Sequence, residues 1–122
     1  MSEIVLHHVS LVVADIEKAL GFYCQVLGLE VDGSRPTMAF DGAWLKLGAQ
    51  QIHLLQVPNV DATAGRPEHG GRDRHTAFAV KSLEPFIERL GGLGIPYSMS
   101  KSGRRALFCR DPDGNACELM EI

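Results

Sequence analysis

The chain has 122 residues and a formal net charge of −3 at pH 7, and 45% of its residues are hydrophobic. These values fit one globular domain, and an acidic balance without a basic run argues against a nucleic-acid partner. No apolar run approaches the roughly 20 residues of a membrane span, and Met1-Ser2-Glu3 lacks the pattern of a signal peptide. We therefore expect a cytoplasmic protein without membrane contacts. The cysteines form no CxxC pair and have apolar neighbours, which favours buried, reduced thiols at Cys24, Cys109 and Cys117.

Residues 6–15 predict a strand that runs into a helix cap. Side chains alternate along a strand, so His7 shares a face with apolar residues, whereas His8 shares the more polar face with Ser10. If a helix covers the apolar face, His8 and not His7 points to the opposite, concave side of the sheet. Asp15 is the predicted cap of a helix over residues 16–27.

Gly28 ends this helix, and three strands are predicted after it, over residues 29–32, 38–47 and 51–57. A second copy of the pattern begins about half a chain later, with His75 in the place of His8 and Ser82 in the place of Asp15. Its helix covers residues 83–90 and is closed by Gly91-Gly92. Its strands are predicted at residues 96–100, 105–110 and 116–122, with a turn at 111–115.

The predicted fold class is α+β, with tandem βαβββ modules in a single domain over residues 1–122. The first module covers about 4–57 and the second covers 75–122. Residues 58–74 lack periodicity and are rich in Gly, Pro, Asp and Arg, which is typical of a linker or lid. His69, in this segment, is expected to lie in solvent.

The first and last strands of both copies carry metal-capable side chains at equivalent positions: His8, His53, His75 and Glu118. A lone strand histidine is more often a core or surface residue than a ligand, but four such residues at repeat-equivalent places favour one shared site. Imidazole nitrogens and a carboxylate oxygen suit a divalent ion such as zinc, nickel, cobalt, manganese or iron(II).

Other residues are weaker candidates for contact with a substrate. Arg35 and the pair Arg104-Arg105 are candidates to bind an anionic group, although loop arginines are usually solvated. The aromatic residues Tyr23, Phe40 and Trp44 are candidates to line a cavity, and core packing is the favoured interpretation of each.

Several motifs resemble those of the vicinal oxygen chelate superfamily, which includes glyoxalase I, fosfomycin-resistance thiol transferases, extradiol dioxygenases, methylmalonyl-CoA epimerase and bleomycin-binding proteins. The motifs are HVSLVVAD (8–15), FYCQVLGL (22–29), HTAF (75–78) and DPDG (111–114) followed by Glu118. The similarity covers almost the whole chain. Residues 40–45 and 52–56 look most like the glyoxalase I-like proteins of plants and bacteria.

This resemblance implies mixed sheets that curl around a metal cavity, and a homodimer in which modules of two chains form the active site. It implies that His8, His53, His75 and Glu118 bind the metal. Glyoxalase I typically has a glutamate where this chain has His53, so Glu118 remains as the candidate catalytic base. The implied function is that of a metal-dependent lyase or isomerase acting on a small oxygen-chelating substrate such as a hemithioacetal.

Three alternatives stay open. An extradiol-type dioxygenase would use His8, His75 and Glu118 as an iron triad, but the histidine that its signature places ahead of Asp111-Pro112 is missing. A fosfomycin-type thiol transferase needs two histidines and a glutamate, which the chain supplies, but its potassium loop is not matched. A non-catalytic, drug-sequestering protein would usually lack the metal ligands that are present here.

Overall fold

The structure, a computed structural model, describes residues 3–122 and divides the chain into two units, one up to Val60 and one from Asp61. The first unit contains β1 (His8–Val13), α1 (Ile16–Tyr23), β2 (Glu30–Val31), β3 (Gly42–Leu47) and β4 (Gln50–Gln56). The second contains a short 3₁₀ helix (Gly70–Arg72), β5 (His75–Val80), α2 (Glu84–Gly92), β6 (Tyr97–Met99), β7 (Ala106–Arg110) and β8 (Ala116–Glu121). Within the described residues, no helix is long and apolar enough to cross a membrane.

Both units have the same sheet topology. The strand orders are β1-β4-β3-β2 and β5-β8-β7-β6, and in each sheet the first and last strands of the module pair in parallel while the other pairs are antiparallel. The registers correspond as well, since Ser10 lies opposite His53 and Ala77 lies opposite Glu118. The predicted α+β class with tandem βαβββ modules is therefore confirmed.

In the first unit, α1 covers the apolar face of the sheet. The side chain of Asp15 accepts a hydrogen bond from the backbone N–H of Lys18 (3.2 Å), which caps the helix as predicted. Gln56 Oε1 accepts from the backbone N–H of Ile16 (2.9 Å) and ties the start of the helix to β4. The core behind the helix consists of fully buried side chains: Val13, Tyr23, Leu45, Ile52 and Leu54. His8 thus lies on the opposite face, as the alternation predicted, and Tyr23 is a core residue.

In the second unit, the helix begins one residue later and ends two residues later than the predicted range of 83–90. Leu83, not Ser82, is the N-cap of α2, and its backbone N–H donates to Glu121 Oε2 (3.0 Å). Ser82 Oγ accepts from the backbone N–H of Glu84 (3.4 Å). The helix also includes Gly91 and Gly92, which were predicted to follow its last turn. Gly94, with φ +67°, takes the left-handed conformation that reverses the chain. A contact from β8 thus adds to the local bond of Ser82 at the start of α2.

The cysteines of the second unit lie in its core. Cys109 and Cys117 are opposite each other on β7 and β8, and both are buried and free. Burial, followed by the nearby charge of Asp111, raises the pKa of the Cys109 thiol to about 12, so the thiolate that would react is not formed near neutral pH. The prediction of buried, reduced thiols is confirmed for this pair, whereas Cys24 is half-buried.

Two glycine-to-alanine changes should have opposite effects on stability. A Cβ at Gly42 would lie 2.4 Å from the carbonyl oxygen of Leu54 on the neighbouring strand, so Gly42→Ala should lower the free energy of unfolding by about 1–3 kcal/mol. Gly21 lies within α1 with no atom within 4 Å of an added Cβ, so Gly21→Ala should raise it by about 0.5–1 kcal/mol. Urea denaturation followed by circular dichroism measures both, and equal stability of the two variants would contradict the β3–β4 pairing.

Candidate metal centre

The first unit brings His8 and His53 together on the open face of its sheet. Their rings stack with centroids 3.9 Å apart, and Trp44 stacks on His53 with centroids 4.3 Å apart. Because β4 lies between β1 and β3, the His53 ring is held between the other two rings. Trp44 is therefore a residue of this site and not of the core, contrary to the interpretation favoured from the sequence.

Hydrogen bonds select the tautomer of His53. Gln51 Nε2 donates to Asp32 Oδ2 (2.9 Å), so the amide oxygen of Gln51 is left as the acceptor for His53 Nε2 (2.8 Å). The proton then lies on Nε2, and Nδ1 keeps its lone pair. A metal-bound histidine characteristically donates its other ring N–H to such a partner. Gln51 was not predicted from the sequence, although its position two residues before His53 places it on the same strand face.

The electrostatic surroundings favour a neutral His53. Burial lowers the pKa of His53 first, and the positive charges of His8, His7 and Arg35 lower it further. The neutral imidazole is the form that binds a metal ion. His8 is more exposed, and its Nδ1 lies 2.8 Å from Nδ1 of His7, so one hydrogen is shared between these two rings.

The second unit brings His75 and Glu118 together on the equivalent face. His75 Nε2 lies 3.2 Å from Glu118 Oε1, and Arg104 Nη2 donates to Glu118 Oε2 (3.1 Å). Glu118 is only 4% exposed. The Nδ1–H of His75 donates to the backbone oxygen of Asp73 (2.9 Å), so in the neutral ring Nε2 and Oε1 are two acceptors facing each other. A metal ion bound between these two atoms would hold them together.

The donor types of both pairs therefore fit a divalent metal ion. Among residues 3–122, neither unit brings three His, Cys, Asp or Glu side chains together as a metal-binding group. Each pair offers two donors, whereas zinc and similar ions take four or more ligands. The union of the four predicted ligands in one site stays a prediction.

The prediction that His69 lies in solvent is wrong. Its Nδ1 accepts a hydrogen bond from the backbone N–H of Gly71 (3.0 Å), and its ring packs against Phe108 with centroids 4.8 Å apart. A Cβ at Gly71 would lie 3.2 Å from the Phe108 ring, so glycine allows this loop to lie close to the sheet. Phe108 in turn meets the ring of His75 edge-on at 5.4 Å.

The three candidate arginines have different surroundings. Arg105 pairs with Glu84 (3.0 Å) and Glu121 (3.3 Å), so it joins α2 to β8 and does not contact the site residues. Arg104 contacts the candidate ligand Glu118 directly. Arg35 donates to the backbone oxygen of Phe40 (2.7 Å), and its charge acts on His53. Arg35 and Arg104 thus bring a positive charge to each pair.

In the metal-free protein, His53 should titrate below the ordinary histidine pKa of about 6.5. As the pH falls, His53 is therefore protonated at a higher pH in the unfolded chain than in the folded protein. The contribution of His53 to stability is therefore complete above about pH 6.5 and is lost as the pH falls from there to the folded pKa. NMR titration of the ring C–H signals measures this pKa. Arg35→Gln should raise it and Arg105→Gln should not, and an unshifted His53 would contradict this account.

Comparison with known proteins places these features in a family. Residues 5–119 match the family model of the Glyoxalase/Bleomycin resistance protein/Dioxygenase superfamily. The chain is 29% identical to Glyoxylase I 4 of Arabidopsis thaliana, over 93% of this chain and 68% of the relative. It is 30% identical to glutathione transferase FosA of Serratia marcescens, over 93% of this chain and 78% of the relative.

A solved structure shows the same fold. It is that of a variant of the fosfomycin resistance protein FosX from Listeria monocytogenes in complex with Mn(II) and a dihydroxypropylphosphonic acid, with a TM-score of 0.74 and 20% identity over 99% of this chain and 93% of that chain. Because the family model spans nearly all of both modules, the chain belongs to the Glyoxalase/Bleomycin resistance protein/Dioxygenase superfamily, which is the vicinal oxygen chelate superfamily.

Proposed function

We propose that the protein is a divalent-metal-dependent lyase or isomerase of the glyoxalase I type, acting on a small oxygen-chelating substrate such as a hemithioacetal. The observation that carries the proposal is the arrangement of His75 and Glu118, whose nitrogen and oxygen acceptors face each other at 3.2 Å on a face equivalent to that of His8 and His53. The similarity to the plant Glyoxylase I 4 supports this choice of chemistry.

His8, His53, His75 and Glu118 would together hold the metal. The two pairs come from two modules, and we propose that they are joined in a homodimer with the active site at its interface. The bound ion would act as a Lewis acid on two neighbouring oxygens of the substrate.

Glu118 is the residue that would move the proton. It would take the proton from the carbon that carries the hydroxyl group and sulfur and return it to the adjacent carbonyl carbon, while the hydroxyl proton passes to the oxygen of that carbonyl, so the product is an isomer and no oxidant is needed. Arg104 holds Oε2 of this carboxylate, while Oε1 faces His75. Arg104 would therefore orient the base, and it must release Oε2 if that oxygen accepts the proton.

A second candidate is a fosfomycin-type thiol transferase. Its support is the positive charge beside each pair, from Arg35 and Arg104, because an anionic phosphonate would be stabilised there. The similarity to FosA, 30% identical, agrees with this choice. A non-catalytic binding protein is the third candidate, and metal content separates it from the two enzymes.

Protein purified without added metal should contain a divalent ion in near-stoichiometric amount, and His75→Ala should abolish its uptake because the variant loses one imidazole donor. The matched control is His69→Ala. It should retain uptake, because Nδ1 of His69 already accepts a backbone hydrogen bond. Elemental analysis of the dialysed proteins measures both. Retention of metal by His75→Ala, with loss by His69→Ala, would overturn the ligand assignment.

The metal-loaded protein should turn over the hemithioacetal of methylglyoxal and glutathione, and Glu118→Gln should lower kcat by at least about 100-fold, since a positioned acid–base group contributes roughly that much. Absorbance of the thioester product follows the reaction. Full metal content without hemithioacetal turnover, but with consumption of fosfomycin and a thiol, would replace the first candidate by the second.

A further inference from the structure

A partly buried ion-pair cluster lies next to the His75–Glu118 pair. Its centre is the carboxylate of Asp73, whose side chain is 8% exposed. Arg66 donates to both of its oxygens, at 3.0 and 2.9 Å, and Arg110 Nη1 donates to Oδ2 at 2.8 Å. The backbone N–H of Arg74 donates to Oδ1 at 2.8 Å. The carboxylate thus receives four hydrogen bonds, and three of them come from charged groups, which form the strong class of hydrogen bond.

This cluster fixes the peptide unit that contacts His75. The carbonyl of Asp73 and the N–H of Arg74 belong to one planar peptide group. The N–H end is held by the Asp73 carboxylate, so the plane has a set orientation and the carbonyl oxygen points to Nδ1 of His75 (2.9 Å). The backbone N–H of Asp73 is also engaged, with the oxygen of Gly70 (3.1 Å). The carboxylate position is therefore transmitted to the imidazole through a rigid group.

The cluster is anchored to the sheet as well as to the loop. Ala116 of β8 pairs with Arg110 of β7 on one side and with His75 of β5 on the other. Arg110 and His75 therefore flank one residue of β8. Arg110 also donates to the backbone oxygens of Gly114 (2.7 Å) and Pro67. The guanidinium of Arg110 is thereby fixed, and it sets the Asp73 carboxylate relative to the strand that carries Glu118.

We propose that Asp73 is a positioning residue for His75: its carboxylate, held by Arg66 and Arg110, orients the Asp73 carbonyl so that it binds Nδ1–H and leaves Nε2 directed at Glu118. The part of the inference that concerns metal affinity rests on the function proposed above. The orientation of the His75 ring does not, because it is a property of the metal-free chain.

Residues 61–74, which contain Asp73, also provide a matched control. Arg74 and Asp61 form an ion pair of similar length, 2.9 Å, but their side chains are 64% and 55% exposed. Exposed pairs of this kind contribute little. Asp61→Asn and Asp73→Asn therefore remove the same charge from the same segment, and only the second change replaces the carboxylate that accepts from Arg66, Arg110 and the backbone N–H of Arg74.

The first measurement uses metal-free protein. NMR should show a protected Nδ1–H signal of His75 in the unaltered protein and in Asp61→Asn, and fast exchange of this hydrogen in Asp73→Asn. A protected signal in Asp73→Asn would overturn the inference. If Asp73→Asn does not fold, as judged by circular dichroism, Arg66→Gln replaces it. That variant leaves Arg110 in place. Fast exchange of the His75 Nδ1–H in this variant would support the inference, and a protected signal would overturn it.

The second measurement is titration with Co²⁺, whose visible absorption reports coordination. Asp73→Asn should weaken Co²⁺ binding about 10–100-fold, as expected for loss of a group that orients a ligand, and Asp61→Asn should change it less than about twofold. Equal affinities of both variants would overturn the role in metal binding. Failure of the unaltered protein to bind Co²⁺, together with a lost Nδ1–H signal in Asp73→Asn, would refute the proposed function and leave the positioning role intact.

Discussion

The parallel pairing of the first and last strands in each module is the constraint on which the candidate site depends. This pairing sets Ser10 opposite His53 and Ala77 opposite Glu118, so a histidine and a second donor share one face in each unit. A slip of one residue would turn the donors to the face covered by the helix. That face buries apolar side chains such as Leu54 and Leu119, so hydrophobic burial maintains the register and thereby the position of the donors.

The two modules use one scaffold to create different electrostatic environments. In the first, His53 lies between two rings, and burial with nearby positive charge favours its neutral form. In the second, a buried carboxylate would be costly by itself, and the charged hydrogen bond from Arg104 offsets part of that cost. The first module thus supplies the neutral nitrogen donor of His53 beside His8, and the second supplies a carboxylate oxygen, which is the mixture that suits a borderline divalent ion.

Residues 61–74 are more than a connection between modules. They were predicted as a linker or lid because they lack hydrophobic periodicity, yet they belong to the second unit. Charged side chains hold them in place, with Arg66, Asp73 and Arg110 at the centre. The periodicity of apolar residues cannot reveal a segment that is ordered by ion pairs, and for this reason its contact with His75 was not foreseen.

The sequence by itself determined the module repeat, the α+β class and the face on which His8 lies, because these follow from local alternation and from helix caps such as Asp15. It also identified the candidate ligands, since His53 and Glu118 occupy matching places in the repeat. Only the tertiary structure decided which groups support them. The bond of Gln51 to Asp32, the contact of Arg104 with Glu118 and the contact of Glu121 with α2 join residues far apart in the chain, and such contacts depend on strand order and register, which no local pattern encodes.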